Sequence, residues 1–251
     1  MRPVAHKRRA ASGRGVGNKA AGALAALENL LRRALPGHCA FCLGEPAPGQ
    51  SWCLPCYREL AWNTYGCRLC AEPLNWVATL CRHCREAPPA FARARVPLAY
   101  QGAVRDLVQD FKFHASPRAG TLLVELFASA LDEAPAEALL PVPLHPARAR
   151  QRGFNQARWL ADRLGTRLGL PVLEASRRTD TPSQRPLSRG ERFANLAEAF
   201  DVASPLPERV ALVDDVMTTG ATVNALALAA RQAGAREVEV YALARTSLGA
   251  S

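Results

Sequence analysis

An α/β fold, with a mostly parallel sheet flanked by helices behind a small cysteine-rich module, is predicted by three observations. The apolar run RVALV (209–213), the helically spaced TVNALALAARQAGA (222–235) and the apolar EVEVYALA (237–244) make a strand–helix–strand unit. A crossover of that length joins parallel strands and turns right-handed. RVALV reads as a continuous apolar run rather than an alternating one, as expected for a parallel strand covered on both faces. All eight cysteines lie within residues 39–84, so the chain changes character near residue 90.

The N-terminal residues 1–19 are basic, contain glycine and carry no acidic side chain. They are expected to form a disordered, solvated tail. AAGALAALENLLRRAL (20–35) has helical apolar spacing and is expected to pack on the cysteine module, giving a module over residues 20–88 and a second domain over 89–251.

The cysteines form four CxxC pairs, Cys39/Cys42, Cys53/Cys56, Cys67/Cys70 and Cys81/Cys84, with ten residues between one pair and the next. Two sulfurs three residues apart converge on one tetrahedral ion, and a second pair completes the ligand set. Two structural Zn²⁺ sites of four thiolates each are therefore expected. A disulfide framework conflicts with the expected cytoplasmic location. A redox CxxC would not need four copies, and iron–sulfur clusters usually use other spacings. Four thiolates leave no open coordination position, which points to a structural role. His38 and His83 adjoin ligands but are expected to be spectators. Spacing leaves sequential and crossed pairing open; sequential pairing closes the shorter loops and is the expected one.

From residue 90, FARARVPLAY (91–100) reads as a strand, VRDLVQDFKF (104–113) and TLLVELFASAL (121–131) as helices, and ALLPVPL (138–144) as a buried strand ending at prolines. FNQARWLADRLGTRLG (154–169) reads as a helix closed by glycine, and PVLEA (171–175) as a short strand. Residues 177–193, rich in proline, serine and arginine, are expected to form a mobile loop.

The 251 residues are 49% hydrophobic and carry a formal charge of +10, a balance that favours polyanions as partners. No run of 18 apolar residues occurs, and no hydrophobic stretch follows the basic N-terminus. Neither membrane insertion nor a secretory signal is expected.

VALVDDVMTTGAT (210–222) places two carboxylates after a buried strand and a small hydroxyl-rich loop before a helix. Backbone N–H groups of Thr218, Thr219, Gly220, Ala221 and Thr222 can converge on one phosphate at a helix N-terminus. The carboxylates should face another part of the ligand, and a sugar diol presents two matching donors. Together these describe a site for a ribose 5-phosphate unit at the carboxyl edge of the sheet.

The same stretch resembles the phosphoribosyl pyrophosphate signature of type I phosphoribosyltransferases. With PVPLHPARARQRGFNQA (141–157), TDTPSQRPLSRGERFANLAEAF (179–200) and the cysteine knuckles, the chain resembles the ComF family over roughly residues 30–246. That resemblance implies a type I phosphoribosyltransferase-like sheet, a zinc-binding N-terminal module and an association with DNA uptake and natural transformation. It implies that Asp214 and Asp215 hold the ribose hydroxyls and residues 218–222 the 5′-phosphate. Arg148, Arg150 and Arg152 would form the pyrophosphate loop, suited to a diphosphate and its Mg²⁺ because guanidinium groups bind bidentately. Gln184, Arg185 and Arg189 are candidates in the loop that would close over the reacting centre. Lys112 and Asn155 fall in family-like stretches, with a solvated lysine and a helix-start amide as their alternatives. Seven residues follow the last predicted strand, so no C-terminal hood over an acceptor is expected. Three functions stay open: a phosphoribosyltransferase with an unidentified acceptor, a non-catalytic protein binding a phosphoribosyl ligand or single-stranded DNA, and an adaptor for other competence proteins.

Overall fold

The computed structural model describes residues 37–74, 79–131, 135–144, 153–177, 199–202 and 205–247. The basic tail, the expected helix 20–35, Arg148, Arg150, Arg152, Gln184, Arg185 and Arg189 lie outside the described residues. The chain divides into two units, residues 1–57 and 58–251. The composition boundary near residue 88 and this division differ, because the second cysteine cluster belongs to the larger unit.

In the first unit, tight turns build the knuckle. Leu43 N–H donates to Cys39 O at 3.0 Å, and Cys39 N–H donates to Gly44 O at 2.8 Å. Leu43 takes a left-handed φ of 65° to make that turn. Trp52, 3% exposed, stacks on Tyr57 with ring centroids 5.5 Å apart. Helix α1 (Leu54–Glu59) follows.

The larger unit holds α2 (Arg82–Glu86) and a five-stranded parallel sheet. Its strands are β1 (Arg93–Arg95), β2 (Leu98–Ala99), β3 (Ala138–Pro141), β6 (Arg209–Met217) and β7 (Glu237–Arg245). The order is β1-β7-β6-β3, with β2 also paired to β7. FARARVPLAY therefore supplies two short strands along one edge of β7 rather than one. PVLEA lies beside β3 through a single parallel bridge, Leu139 to Val172, held by Leu139 N–H to Pro171 O at 2.9 Å and Leu173 N–H to Leu139 O at 2.8 Å. The named strand there begins later: β4 (Ala175–Arg177) pairs antiparallel with β5 (Phe200–Val202).

Helices α3 (Gly102–Phe113), α4 (Pro117–Ser129) and α5 (Gln156–Leu168) occupy the stretches expected of them. Ser116 caps α4 through its hydroxyl, Asn155 caps α5 through its amide oxygen, and Gly169 closes α5 at φ 68°. These helices interlock closely: a Cβ at Gly120 of α4 would meet Trp159 at 2.6 Å and Phe111 at 2.7 Å. A Cβ at Gly165 of α5 would approach Leu139 of β3 at 3.9 Å, and Leu139 is in register with Ala211 of β6. Leu139 and Ala211 thus face α5, while Leu140, Val210 and Leu212 join the opposite core with Leu226 of α6 (Ala221–Gln232). Cys67, Cys70, Cys81 and Cys84 are part of that second core. The second knuckle is packed into the sheet's hydrophobic cluster, which few short metal modules have available to them. Among the described residues no helix is long and apolar enough to cross a membrane.

Candidate functional site

The four CxxC pairs gather into two groups, Cys39–Cys42–Cys53–Cys56 and Cys67–Cys70–Cys81–Cys84, with the sulfurs of each group within 4.8 Å of one another. The sequential arrangement is the one adopted. Cys42 Sγ lies 3.7 Å from Cys53 Sγ, and Cys70 Sγ lies 3.7 Å from Cys81 Sγ. Four sulfurs ~2.3 Å from one tetrahedral ion sit about 3.8 Å apart, so the spacing fits Zn²⁺.

Thiol acidity fits a cation as well. Burial alone would raise Cys39, but N–H groups of Cys42, Phe41 and Cys53 outweigh it and hold that thiol at about 6. Burial likewise acts upward on Cys67, and N–H groups of Cys70, Cys81 and Leu69 bring it to about 7. The neighbours then resist ionisation: burial and adjacent thiols push Cys56 and Cys84 up. Cys70 is raised to about 11, by burial first and by the charges of Cys67 and Cys81. Each group holds one readily ionised sulfur beside thiols that are raised, Cys42 and Cys56 in the first and Cys70 and Cys84 in the second, a conflict that a shared divalent cation removes. Both groups could hold zinc.

At the carboxyl edge of the sheet lies a cavity of about 550 Å³, within the size range of small-ligand sites. Strand β6 does not stop at Val213; its ladder with β7 continues through Asp214 to Met217. Both carboxylates therefore sit on a rigid strand rather than in the loop after it. Alternation along β6 turns Asp215 to the face of Ala211 and α5. There Asp215 Oδ1 meets Lys112 Nζ of α3 at 2.9 Å, with side chains 12% and 14% exposed respectively. Lys112 is thus a partly buried partner of the acid and not a solvated lysine. Asp214 Oδ1 accepts from Asp215 N–H at 2.8 Å, and Asp215 Oδ1 also accepts from Val216 N–H. Asp214, Asp215, Lys112, Thr218 and Thr222 all line the cavity.

Thr218 and Thr222, at the start of helix α6, line this cavity, whereas Thr219, Gly220 and Ala221 line a neighbouring one beside Cys70, Cys81 and Cys84. Gly220 is the N-cap of α6, at φ 77°, and offers no side-chain cap to the first turn. Thr219 Oγ1 accepts from Ala221 N–H at 3.3 Å. Thr218, Thr219, Ala221 and Thr222 are exposed, so the positive end of the helix faces solvent. A Cβ at Gly220 would stand 3.1 Å from Met217 Cε. Gly220→Val is expected to cost ~1–2 kcal/mol through the left-handed backbone, readable as a lower denaturant midpoint.

Asn155 lines the same cavity, yet its amide is committed locally: Nδ2 donates to Val142 O at 3.2 Å and Oδ1 accepts from Arg158 N–H at 3.2 Å. It is the helix-start amide. Two residues escaped the sequence reading. Arg177 lines the cavity at the end of β4. Arg245, 1% exposed, is buried at the end of β7. A cation directly after the apolar stretch Val240–Ala244 was the one available signal for Arg245; nothing distinguished Arg177 from other loop arginines.

No protein-family profile matches the chain. Curated relatives do. Competence protein F of Haemophilus influenzae is 39% identical over 152 residues, 55% of this chain and 66% of that protein. Competence protein ComFC of Streptococcus pneumoniae is 31% identical over 60% of this chain and 67% of its own length. DNA utilization protein YhgH of Escherichia coli K12 is 33% identical over 64% and 75%. Among solved structures, a purine phosphoribosyltransferase from Pyrococcus horikoshii aligns with 51% of this chain and 82% of its own at 17% identity and a TM-score of 0.34. An adenine phosphoribosyltransferase from Thermoanaerobacter pseudethanolicus aligns with 53% and 83% at 16% identity and the same TM-score, 0.34. Both likenesses are too distant to bear on function. The identities and coverage of the competence and DNA utilization proteins do bear on ancestry, and the chain belongs to their family, the ComF family.

Proposed function

We propose that this chain binds phosphoribosyl pyrophosphate in the cavity at the carboxyl edge of the sheet and acts in the DNA-uptake or DNA-utilization processes for which its relatives are named. One observation carries the reading: two strand-borne carboxylates, a lysine, and Thr218 and Thr222 at the start of α6 line one cavity. The α6 N-terminus takes the 5′-phosphate by backbone N–H groups and by the Thr218, Thr219 and Thr222 hydroxyls. Asp214 and Asp215 accept from the ribose hydroxyls. Lys112 pairs with Asp215 at 2.9 Å and holds it in place, and its charge lies within reach of ligand oxygens.

The assignment of Arg148, Arg150 and Arg152 to the diphosphate rests on the family resemblance. Mg²⁺ fits the same reading, since carboxylate and phosphate oxygens are the hard donors it takes; it supplies charge neutralisation on the leaving diphosphate. If transfer occurs, a nucleophile displaces diphosphate at C1′, and the chain contributes positioning and exclusion of water rather than a nucleophile of its own.

Phosphoribosyl pyrophosphate with Mg²⁺ is expected to raise the thermal midpoint of the wild type, because a ligand bound only to the native state stabilises it by mass action. Asp214→Asn is expected to weaken binding about tenfold or more, the loss of one charged hydrogen-bond acceptor. An unchanged midpoint at millimolar ligand defeats the proposal. The charge of +10 and the relatives' names support a second reading, binding of single-stranded DNA. Its signature is affinity that falls steeply with salt and is indifferent to Asp214→Asn.

A further inference from the structure

Arg245 joins two segments that are remote in sequence. Its Nε donates to Cys70 O at 3.1 Å, and its Nη2 lies 2.7 Å from Glu72 Oε2 as a buried ion pair. Its Nη1 donates to Met217 O at 2.9 Å, to Thr246 O at 3.0 Å and to Thr218 O. All three nitrogens of one guanidinium are engaged. On one side stands the second cysteine group; on the other stands the loop that opens α6.

We propose that Arg245 is a positioning residue that couples the second cysteine group to the phosphate loop, so that metal held by Cys67, Cys70, Cys81 and Cys84 and phosphate held at the α6 N-terminus strengthen each other. This rests on the reading of that loop as a phosphate site.

The geometry of the peptide explains how. In a trans peptide the C=O and the following N–H point in opposite directions. Drawing the carbonyls of Met217 and Thr218 onto the guanidinium turns the N–H groups of Thr218 and Thr219 away from it. Thr218 lines the cavity, so its N–H is presented to a ligand there while two repelling carbonyl oxygens are held on the guanidinium.

The far end of the clamp depends on the knuckle. Glu72 O accepts from Cys67 N–H at 2.8 Å, Cys67 O accepts from Ala71 N–H at 2.8 Å, and Ala71 sits at φ 55°. Glu72 is therefore built into the turn that carries Cys67 and Cys70. A cation shared by the four sulfurs fixes that turn. Without it, the crowded thiols hold the turn less firmly, and any shift of Glu72 leaves a guanidinium that is 1% exposed without its counter-charge. Arg245 must then follow, and the loop with it. Coupling of this kind is reciprocal at equilibrium.

The test uses the full chain carrying Cys39→Ser and Cys42→Ser, which removes two donors of the first group and leaves the second intact. Calorimetry first gives the binding isotherm of ribose 5-phosphate on the zinc-loaded protein. Chelator competition then gives the zinc affinity of the second group with and without saturating ribose 5-phosphate. Zinc affinity is expected to rise about fivefold or more with the ligand. Adding Glu72→Gln, which keeps every cysteine and every loop residue, is expected to abolish the rise. Arg245→Lys, which keeps the charge but loses the fork, provides the same comparison where Glu72→Gln does not fold. A flat isotherm overturns the phosphate-site reading and the coupling with it. A normal isotherm with unchanged zinc affinity overturns the coupling alone. A rise that survives both substitutions overturns the role of Arg245.

Discussion

Cys84→Ser is expected to reduce bound zinc from two equivalents to one and to lower the thermal midpoint of the larger unit by roughly 10–20 °C. The size follows from where the sulfur sits. Cys84 is 2% exposed and belongs to the hydrophobic cluster that holds Leu212, Leu226 and Val240. Loss of a structural metal belongs with the largest single-residue effects, about 5 kcal/mol, since the ion's binding free energy is lost from the folded state. The turn carrying Glu72 loosens in the same event. Metal analysis and calorimetry on one preparation decide the matter: two retained equivalents with an unchanged midpoint would show that Cys84 is not a ligand the structural ion needs.

Lys112→Met is expected to destabilise the protein by about 3 kcal/mol, because it strands the Asp215 carboxylate in a site where little water reaches it. That corresponds to roughly 6–12 °C in midpoint for a unit of this size. The double variant Lys112→Met/Asp215→Leu is expected to recover most of the loss, since it removes both charges together. Ligand binding separates the two effects, as the single and the double variant should both fail to bind phosphoribosyl pyrophosphate. A single variant that unfolds like the wild type would mean that the ion pair contributes nothing. A double variant no more stable than the single would place the cost in lost packing instead.

Local chemistry made much of this molecule readable in its residues. CxxC spacing located both metal groups because two ligands of each pair sit on one turn, a short-range fact. The parallel strands β6 and β7 announced themselves by their apolar stretches, Val210–Val213 and Val240–Ala244, because both faces of the sheet are covered there. Hydrophobicity then misplaced the end of β6. The strand seemed to close at Val213, where charge begins, but hydrogen bonding to β7 is indifferent to side-chain polarity and carries on to Met217. The status of Lys112 could not be read because its partner lies on β6, and only the packing of α3 against the sheet brings them together. Arg245 is the extreme case. Its acceptors are at residues 70, 72, 217, 218 and 246, a set that no local pattern collects. Arg177 comes to the cavity through the β4–β5 pairing, which the sequence did not announce.

The extension of β6 through both acids has a bearing on how such a site can change over evolutionary time. A carboxylate on a loop can be shifted by an insertion, and the loop absorbs the change. Here the register with β7, which sets Asp214 opposite Ala242 and Val216 opposite Ala244, is the same register that buries Val210 and Leu212. One residue gained or lost in β6 would turn every side chain to the other face and expel the core together with the acids. The carboxylates are therefore inherited with the hydrophobic interior as a single unit of sequence. Insertions and deletions that diversify ligand preference in such a protein fall on the segments around the cavity mouth, while the register holds the position of the acids.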